Sequence, residues 1–261
     1  MTRARQDEIN RATYHAPGVW RRYTSRVLLP SEAMCLLKYQ ASIAGRDVLD
    51  IGVGAGRTTH YLVPLARRYE AIDYSPVMVA AAKAAIPAAS VREADFRDLG
   101  MFAAESFDFV LASDNVIDVF SHEDRMRAIG EAARVLRPGG LFVFSAHNLR
   151  YRRAFSGPRI EWSSNPASLA ASCAKFALGW WNHLRVGRMR TVAKEYALLN
   201  DPGHFYACLH YYCARPTVAA QLGERGFRLI DTFDRDGRAL ADSADDSHTP
   251  NVLYVAELSR G

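Results

Sequence analysis

A doubly wound α/β fold with a mostly parallel sheet is predicted by three features of the 261-residue sequence. Val48-Leu49-Asp50-Ile51 is an apolar run carrying one acid, and it breaks into the turn Gly52-Val53-Gly54-Ala55-Gly56-Arg57. Tyr69 to Asp73 reads as a second short strand ending in an acid, about twenty residues beyond the glycines, where nucleotide-binding α/β folds place a carboxylate on ribose hydroxyls. Strand-like runs then alternate with helical stretches as far as residue 148, which is the rhythm of five βα units with helices on both faces of the sheet.

Each element has a local cause. Residues 1–45 form a helical cap, with Ser31 as N-cap of a helix through Ile43 whose apolar positions Met34, Leu37, Ala41 and Ala44 follow helical spacing. Residues 46–148 form the α/β core. Glycines at alternate positions let the chain turn sharply and lie against a ligand, and the stretch Thr58–Arg68 can start a helix whose first amides point at it. Ser75 can cap the next helix and Pro76 suits its first turn. Val91–Phe96, Phe107–Ser113 and Arg134–Ser145 supply the remaining strands of this part. Residues 149–213 leave the rhythm and read as a basic lid. Within it, Ser168–Arg190 is an amphipathic helix, with Leu169, Cys173, Phe176, Trp180 and Leu184 at helical spacing, and Ala207–Tyr212 alternates like a strand. Residues 214–261 complete the core: a helix over Pro216–Glu224 closed by Gly226, strands at Phe227–Phe233 and Val252–Leu258, and a solvated loop over Asp234–Asn251.

Composition excludes several classes. Hydrophobic residues are 49% and charged residues 23%, the balance of an ordinary globular protein. Met1–Arg11 mixes Arg3 and Arg5 with Asp7 and Glu8, which is not a secretory signal. Ala167–Trp181 is too short to span a bilayer and contains Lys175. Cys35, Cys173, Cys208 and Cys213 have no paired spacing and read as reduced thiols of a cytoplasmic protein. No metal-binding spacing of His or Cys is present, so no metal is expected.

The dinucleotide fingerprint requires a glycine where Arg57 stands. Asp50-x-Gly52-x-Gly54-x-Gly56 instead resembles motif I of the class I, Rossmann-like S-adenosylmethionine (SAM)-dependent methyltransferases, small-molecule branch. Asp73–Met78, Val91–Phe96, Phe107–Ser113 and Arg134–Ser145 each resemble the motif due at that point, in order, over residues 46–148. The resemblance implies a seven-stranded sheet whose last strand inserts antiparallel, and SAM as cofactor. It implies that the glycine loop holds the methionine half, with Asp50 near the ammonium group. Asp73, beside Tyr74, would accept from the ribose hydroxyls. Met78 would pack on the adenine, or be an ordinary helix-core methionine. Asp95 would take the adenine amino group, or form a turn, with Phe96 against the ring. Ser113 and Asn115, just past the fourth strand, lie at the carboxyl edge where ligands bind in open α/β sheets.

A histidine suits a general base at neutral pH. His147 follows the fifth strand and His210 lies on the lid strand, and either is a candidate; Tyr212 is grouped with the acceptor. The lid carries nine cations from Arg150 to Lys194 against the single acid Glu161. Four readings stay open: a packed helix with solvated arginines, an anionic acceptor met first by Arg152 and Arg153, peripheral contact with a membrane, and, least favoured, nucleic acid. The expected function is methyl transfer to a small-molecule or glycan acceptor, at oxygen first. The alternatives are N-methylation of a natural product, tRNA modification, and a non-catalytic SAM-binding regulator.

Overall fold

The computed structural model describes residues 3–16 and 18–259, with side chains of the first helix from Gln6 onward. Met1 and Thr2, the start of the segment read for a leader, lie outside them. In chain order the elements are α1 (Arg3–Tyr14), α2 (Pro30–Lys38), β1 (Asp47–Ile51), α3 (Thr59–Leu62), β2 (Arg68–Asp73), α4 (Pro76–Ala85), β3 (Ser90–Glu93), β4 (Phe107–Ala112), α5 (His122–Val135), β5 (Leu136–Asn148), α6 (Pro166–Gly187), β6 (Thr191–Val192), β7 (Tyr196–Leu199), β8 (His210–Cys213), α7 (Arg215–Gly223), β9 (Phe227–Phe233) and β10 (Asn251–Leu258). Short 3₁₀ turns lie at Val19–Tyr23, Gln40–Ser42 and Val116–Val119.

The main sheet runs β3-β2-β1-β4-β5-β10-β9, with β10 antiparallel to both β5 and β9. This is the expected seven-stranded sheet with its last strand inserted antiparallel. Strand periodicity sorts its side chains onto two faces. Leu49, Ile51, Val110, Ala112, Phe142 and Phe144 pack with Ile129 and Ala132 of α5 and Leu222 of α7. Val48, Phe109, Leu111, Leu141 and Val143 pack with Leu36 of α2 and Leu62 of α3. Burial on both faces explains why β1 reads from Val48 as an apolar run interrupted only by Asp50.

The lid adds three more strands. β5 pairs with β4 only as far as Phe144, while β10 still occupies its other edge at His147. The edge that β4 leaves is taken by β8, through His147↔Tyr212 and Asn148↔Cys213, and β7 and β6 follow antiparallel. The end of β5 therefore leads into the lid rather than into solvent.

Four local expectations are corrected. The second helix starts at Pro30, not after Ser31, because the Glu32 carboxylate accepts the Leu29 amide at 2.7 Å. It also stops at Lys38, with only a 3₁₀ turn beyond. The helix after the glycine loop is one turn long, Thr59–Leu62, since the chain must return at once to β2. Residues 234–251 are not a free loop. Asp234, Asp246 and Thr249 are buried, and Asp246 receives Arg215 at 2.9 Å.

Candidate active site

Gly52, Gly54 and Gly56 all take positive φ, at 68°, 56° and 92°. At Gly52 the requirement is also steric, because a Cβ there would stand 2.3 Å from a methyl of Val116. Asp50 sits beneath this loop, fully buried. Its Oδ2 accepts Thr58 Oγ1 at 2.6 Å and the Tyr69 hydroxyl at 2.8 Å. Burial pushes its carboxyl up to about 6 against those two bonds. Asp73, at the end of β2, accepts the Gly54 amide at 2.9 Å and the Ser75 amide at 2.9 Å, which ties loop and strand together. Burial raises its carboxyl too, opposed by the same two amides.

The donor set suits a nucleoside-bearing cofactor. The Tyr74 hydroxyl beside Asp73, His15 Nε2 and Asn115 Oδ1 are buried polar atoms without a protein partner, and such atoms call for a ligand or water. The His15 and Tyr74 rings lie 5.3 Å apart.

Other expected cofactor contacts are engaged elsewhere. Both oxygens of Asp95 are taken by Arg97, at 2.9 and 2.6 Å, and Arg11 of α1 adds a contact at 2.6 Å. Phe96 is buried, 6.4 Å from Phe120 and 6.2 Å from Phe142. Met78 is buried in α4. Ser113 donates to Glu32, which also accepts Arg57 at 2.8 Å, and Arg57 reaches Asp114 at 3.2 Å. Glu32 thus links α2, the glycine loop and the loop after β4, a role that its surface-like position in the sequence gave no sign of.

The two candidate histidines come together. Their rings stack with centroids 5.1 Å apart and planes 15° apart. Asp118 Oδ2 accepts both the amide and Nδ1 of His147, at 2.6 and 2.7 Å, and its Oδ1 accepts Arg125 at 2.6 Å. Asp118 and Arg125 are both wholly buried, and Arg125 continues to Gln221 at 3.0 Å. This chain fixes the ring with Nδ1 as donor and leaves Nε2 next to Asn115 Nδ2 at 3.5 Å and Asp201 Oδ2 at 3.4 Å. Burial alone would lower the pKa of His147. The Asp118 bond and charge, with Asp201 and Asp114, outweigh it and raise it above the ordinary imidazole value.

The lid contributes a second dyad. Asp201 Oδ2 lies 2.8 Å from His210 Nδ1 and accepts the Tyr212 hydroxyl at 2.8 Å, while Oδ1 accepts the Gly203 amide at 2.8 Å. Burial would raise the Asp201 carboxyl, but His210, His147 and Tyr212 hold it well below the usual range. Next to it, His204, Phe205 and Tyr206 take φ of 46°, 55° and 64° in succession. Each costs on the order of 1–2 kcal/mol for an L-residue, and such strain concentrates where geometry matters for function. The turn presses His204 against Tyr23, whose hydroxyl is 2.8 Å from Nε2, and against the Tyr14 ring at 4.7 Å. Burial, with His210 and Arg22, pushes His204 down to about 4. Asn10 of α1 closes the assembly by bonding Val119 O at 2.9 Å and Leu209 O at 2.8 Å.

His147, Asp201 and His210 are the one group among the described residues whose ligand atoms could converge on a metal ion, lying within 4.8 Å of one another. Ligands about 2.1 Å from a tetrahedral ion sit roughly 3.4 Å apart. The 2.8 Å between His210 and Asp201 is instead a hydrogen-bond distance. Arg152 and Arg153 do not join the cluster. Arg152 is 73% exposed and faces Ser247 and Asp245, and Arg153 is exposed. A cavity of about 770 Å³, lined by Trp20, Ser25, Gly56, Arg57, Pro76 and Ala80 among others, opens beside the glycine loop and includes no member of the two dyads.

Residues 49–144 match the family described as a methyltransferase domain. A probable S-adenosylmethionine-dependent methyltransferase of Mycolicibacterium smegmatis is 34% identical over 105 residues, 40% of this chain and 39% of that protein. The ubiquinone biosynthesis O-methyltransferase of a Methylobacterium species is 32% identical over 142 residues, 53% of this chain and 50% of that protein. The matches thus span half or less of these two curated relatives. Among solved structures, the Burkholderia thailandensis 1,6-didemethyltoxoflavin-N1-methyltransferase, with S-adenosylhomocysteine bound, superposes with a TM-score of 0.60 at 14% identity, covering 100% of this chain and 92% of that one. At that identity the likeness is one of fold.

Proposed function

The chain belongs, through its core, to the class I Rossmann-like S-adenosylmethionine-dependent methyltransferase family, and on that premise we propose that it transfers the methyl group of SAM to a hydroxyl of a small-molecule acceptor. The observation that carries the oxygen is the His147–Asp118 dyad. A neutral hydroxyl is a poor nucleophile until a base takes its proton, whereas an unprotonated amine needs none. The two relatives named above for O- and N-methylation leave the atom open, so the reading rests on this dyad.

When bound, SAM supplies a methyl on a sulfonium, which is the activated group. Gly52, Gly54 and Gly56 would hold its methionine half, and Asp73 with Tyr74 its ribose. Asp50, bonded to Thr58 and Tyr69, keeps the loop in shape from below. His147 Nε2 receives the acceptor proton. Asp118 orients the ring and favours the imidazolium that results, as the buried carboxylate of a His–Asp pair does. Asn115 positions the acceptor oxygen, and Asp201, held by His210 and Tyr212, adds negative charge that also favours the protonated ring.

The test is incubation of the protein with methyl-labelled SAM and a cell extract, followed by separation into RNA, lipid and small-molecule fractions. The reading requires label outside the RNA fraction, and its loss in His147→Ala. Label in RNA would favour a tRNA-modifying enzyme, and label nowhere a SAM-binding regulator.

A further inference from the structure

The lid helix α6 is inside out. Its buried residues, Ser172, Gly179, Asn182 and Val186, are mostly small or polar. The opposite face carries Ala170, Cys173, Ala177, Trp181 and Leu184, spaced three or four residues apart and all exposed. Trp181 is 69% and Leu184 59% exposed, and Leu178 and Trp180 flank them at 47% and 38%. Globular helices turn such a stripe toward the core, and an exposed apolar patch of this kind marks an interaction surface. The inner face has no use for those side chains. Gly179 lies where a Cβ would be 3.3 Å from Pro158, and Asn182 donates to Phe205 O at 3.0 Å, so the helix is held by close approach and a hydrogen bond.

Charge identifies what covers the stripe. From Trp162 to Lys194 there is no acid, while Lys175, Arg185, Arg188, Arg190 and Lys194 are all cationic. Arg185 leaves the helix beside the stripe and Arg188 lies just past its C-terminal end, both exposed, while Lys175 leaves on the far side. A second copy seated here through the same segment would bring more cations and no acid to meet them. An anionic bilayer would accept both features at once, with tryptophan and leucine at the acyl boundary and the cations at the head groups. We infer that α6 is an interfacial helix that seats the protein on an anionic lipid surface. Among the described residues no helix is long and apolar enough to cross a membrane, so this contact is with the surface.

The test is co-sedimentation of the full chain with vesicles of phosphatidylglycerol and phosphatidylcholine, compared with phosphatidylcholine alone. Binding should require the anionic lipid and weaken as salt rises, since screening shortens to about 3 Å at 1 M. Trp181→Asp with Leu184→Ser, both on the solvent side, should weaken it about tenfold or more while the circular dichroism spectrum and SAM binding stay unchanged. As a readout needing no variant, tryptophan emission of the wild type should shift to the blue on the anionic vesicles and be quenched by brominated acyl chains. Absence of binding at low salt overturns the inference. So does salt-sensitive binding unaffected by the double substitution, which would reduce the lid to a basic surface. A concentration-dependent dimer lost in Trp181→Asp would also overturn it, by assigning the stripe to a second copy. None of these readouts depends on methyl transfer.

Discussion

Asp118→Asn separates the two jobs given to one buried carboxylate. The substitution leaves the wholly buried Arg125 cation without its partner at 2.6 Å, and breaking a buried pair from one side costs roughly 3–5 kcal/mol. At about 2–4 °C per kcal/mol for a chain of this size, the unfolding midpoint should fall by roughly 6–20 °C. The second effect is on His147, whose pKa is raised chiefly by Asp118 against the pull of burial. A raised imidazole contributes stability that is complete below its unfolded value of about 6.5 and is lost as pH rises through the folded value. Calorimetric scans of the wild type should therefore show this part of the stability declining as pH climbs above 6.5, and Asp118→Asn should flatten that slope. Turnover, which needs His147 unprotonated, should rise through the same raised value in the wild type and through a lower one in the variant. The double variant Asp118→Asn/Arg125→Met removes the stranded cation and should recover part of the lost midpoint, because contacting residues do not add. An unchanged midpoint and pH slope in Asp118→Asn, or strictly additive losses in the double variant, would refute the Arg125–Asp118–His147 chain.

Other perturbations have equally definite outcomes. His147→Ala should lower turnover about 10²–10⁴-fold with SAM affinity nearly intact; full turnover at neutral pH would mean that no base acts at this position. Gly52→Ala should cost both folding and SAM binding, since φ is 68° and the new Cβ would meet Val116 at 2.3 Å; an unchanged unfolding midpoint would show that the loop relaxes freely. Dialysis against EDTA should leave turnover unchanged, because His210 and Asp201 are spaced as a hydrogen-bonded pair. Loss restored by a divalent ion would instead make His147, Asp201 and His210 its ligands.

What the sequence made legible was local in origin. The strands β1 to β5 follow from apolar runs, glycines and caps that lie next to one another, and β9 and β10 follow from Gly226 and the alternation after it. The convergence of His147 and His210 was harder to read, because it depends on β5 outrunning β4 so that β8 can pair beyond it. Their carboxylates escaped notice for different reasons. Asp118 stands in the apolar run Val116-Ile117-Asp118-Val119, where an acid is itself a signal of a buried partner. Asp201 stands in Asn200-Asp201-Pro202-Gly203, where turn chemistry accounts for it completely. The sequence does not show that Asp95 and Arg152 have charged partners, Arg97 and Arg11 for the one and Asp245 for the other. Periodicity marks Leu169, Cys173, Phe176, Trp180 and Leu184 of α6, whereas the exposed face runs through Ala170, Cys173, Ala177, Trp181 and Leu184 and shares only Cys173 and Leu184 with it, since helical spacing does not say which side meets the core.

The central claim is a SAM site built on the glycine loop and Asp73, and isothermal titration of SAM into the purified chain tests it most directly. The account predicts saturable binding at one site per chain, weakened by about 1.5–3 kcal/mol in Asp73→Ala, the usual worth of hydrogen bonds to a charged group. Absence of SAM binding, unchanged affinity in Asp73→Ala, or tighter binding of a nicotinamide dinucleotide would contradict it.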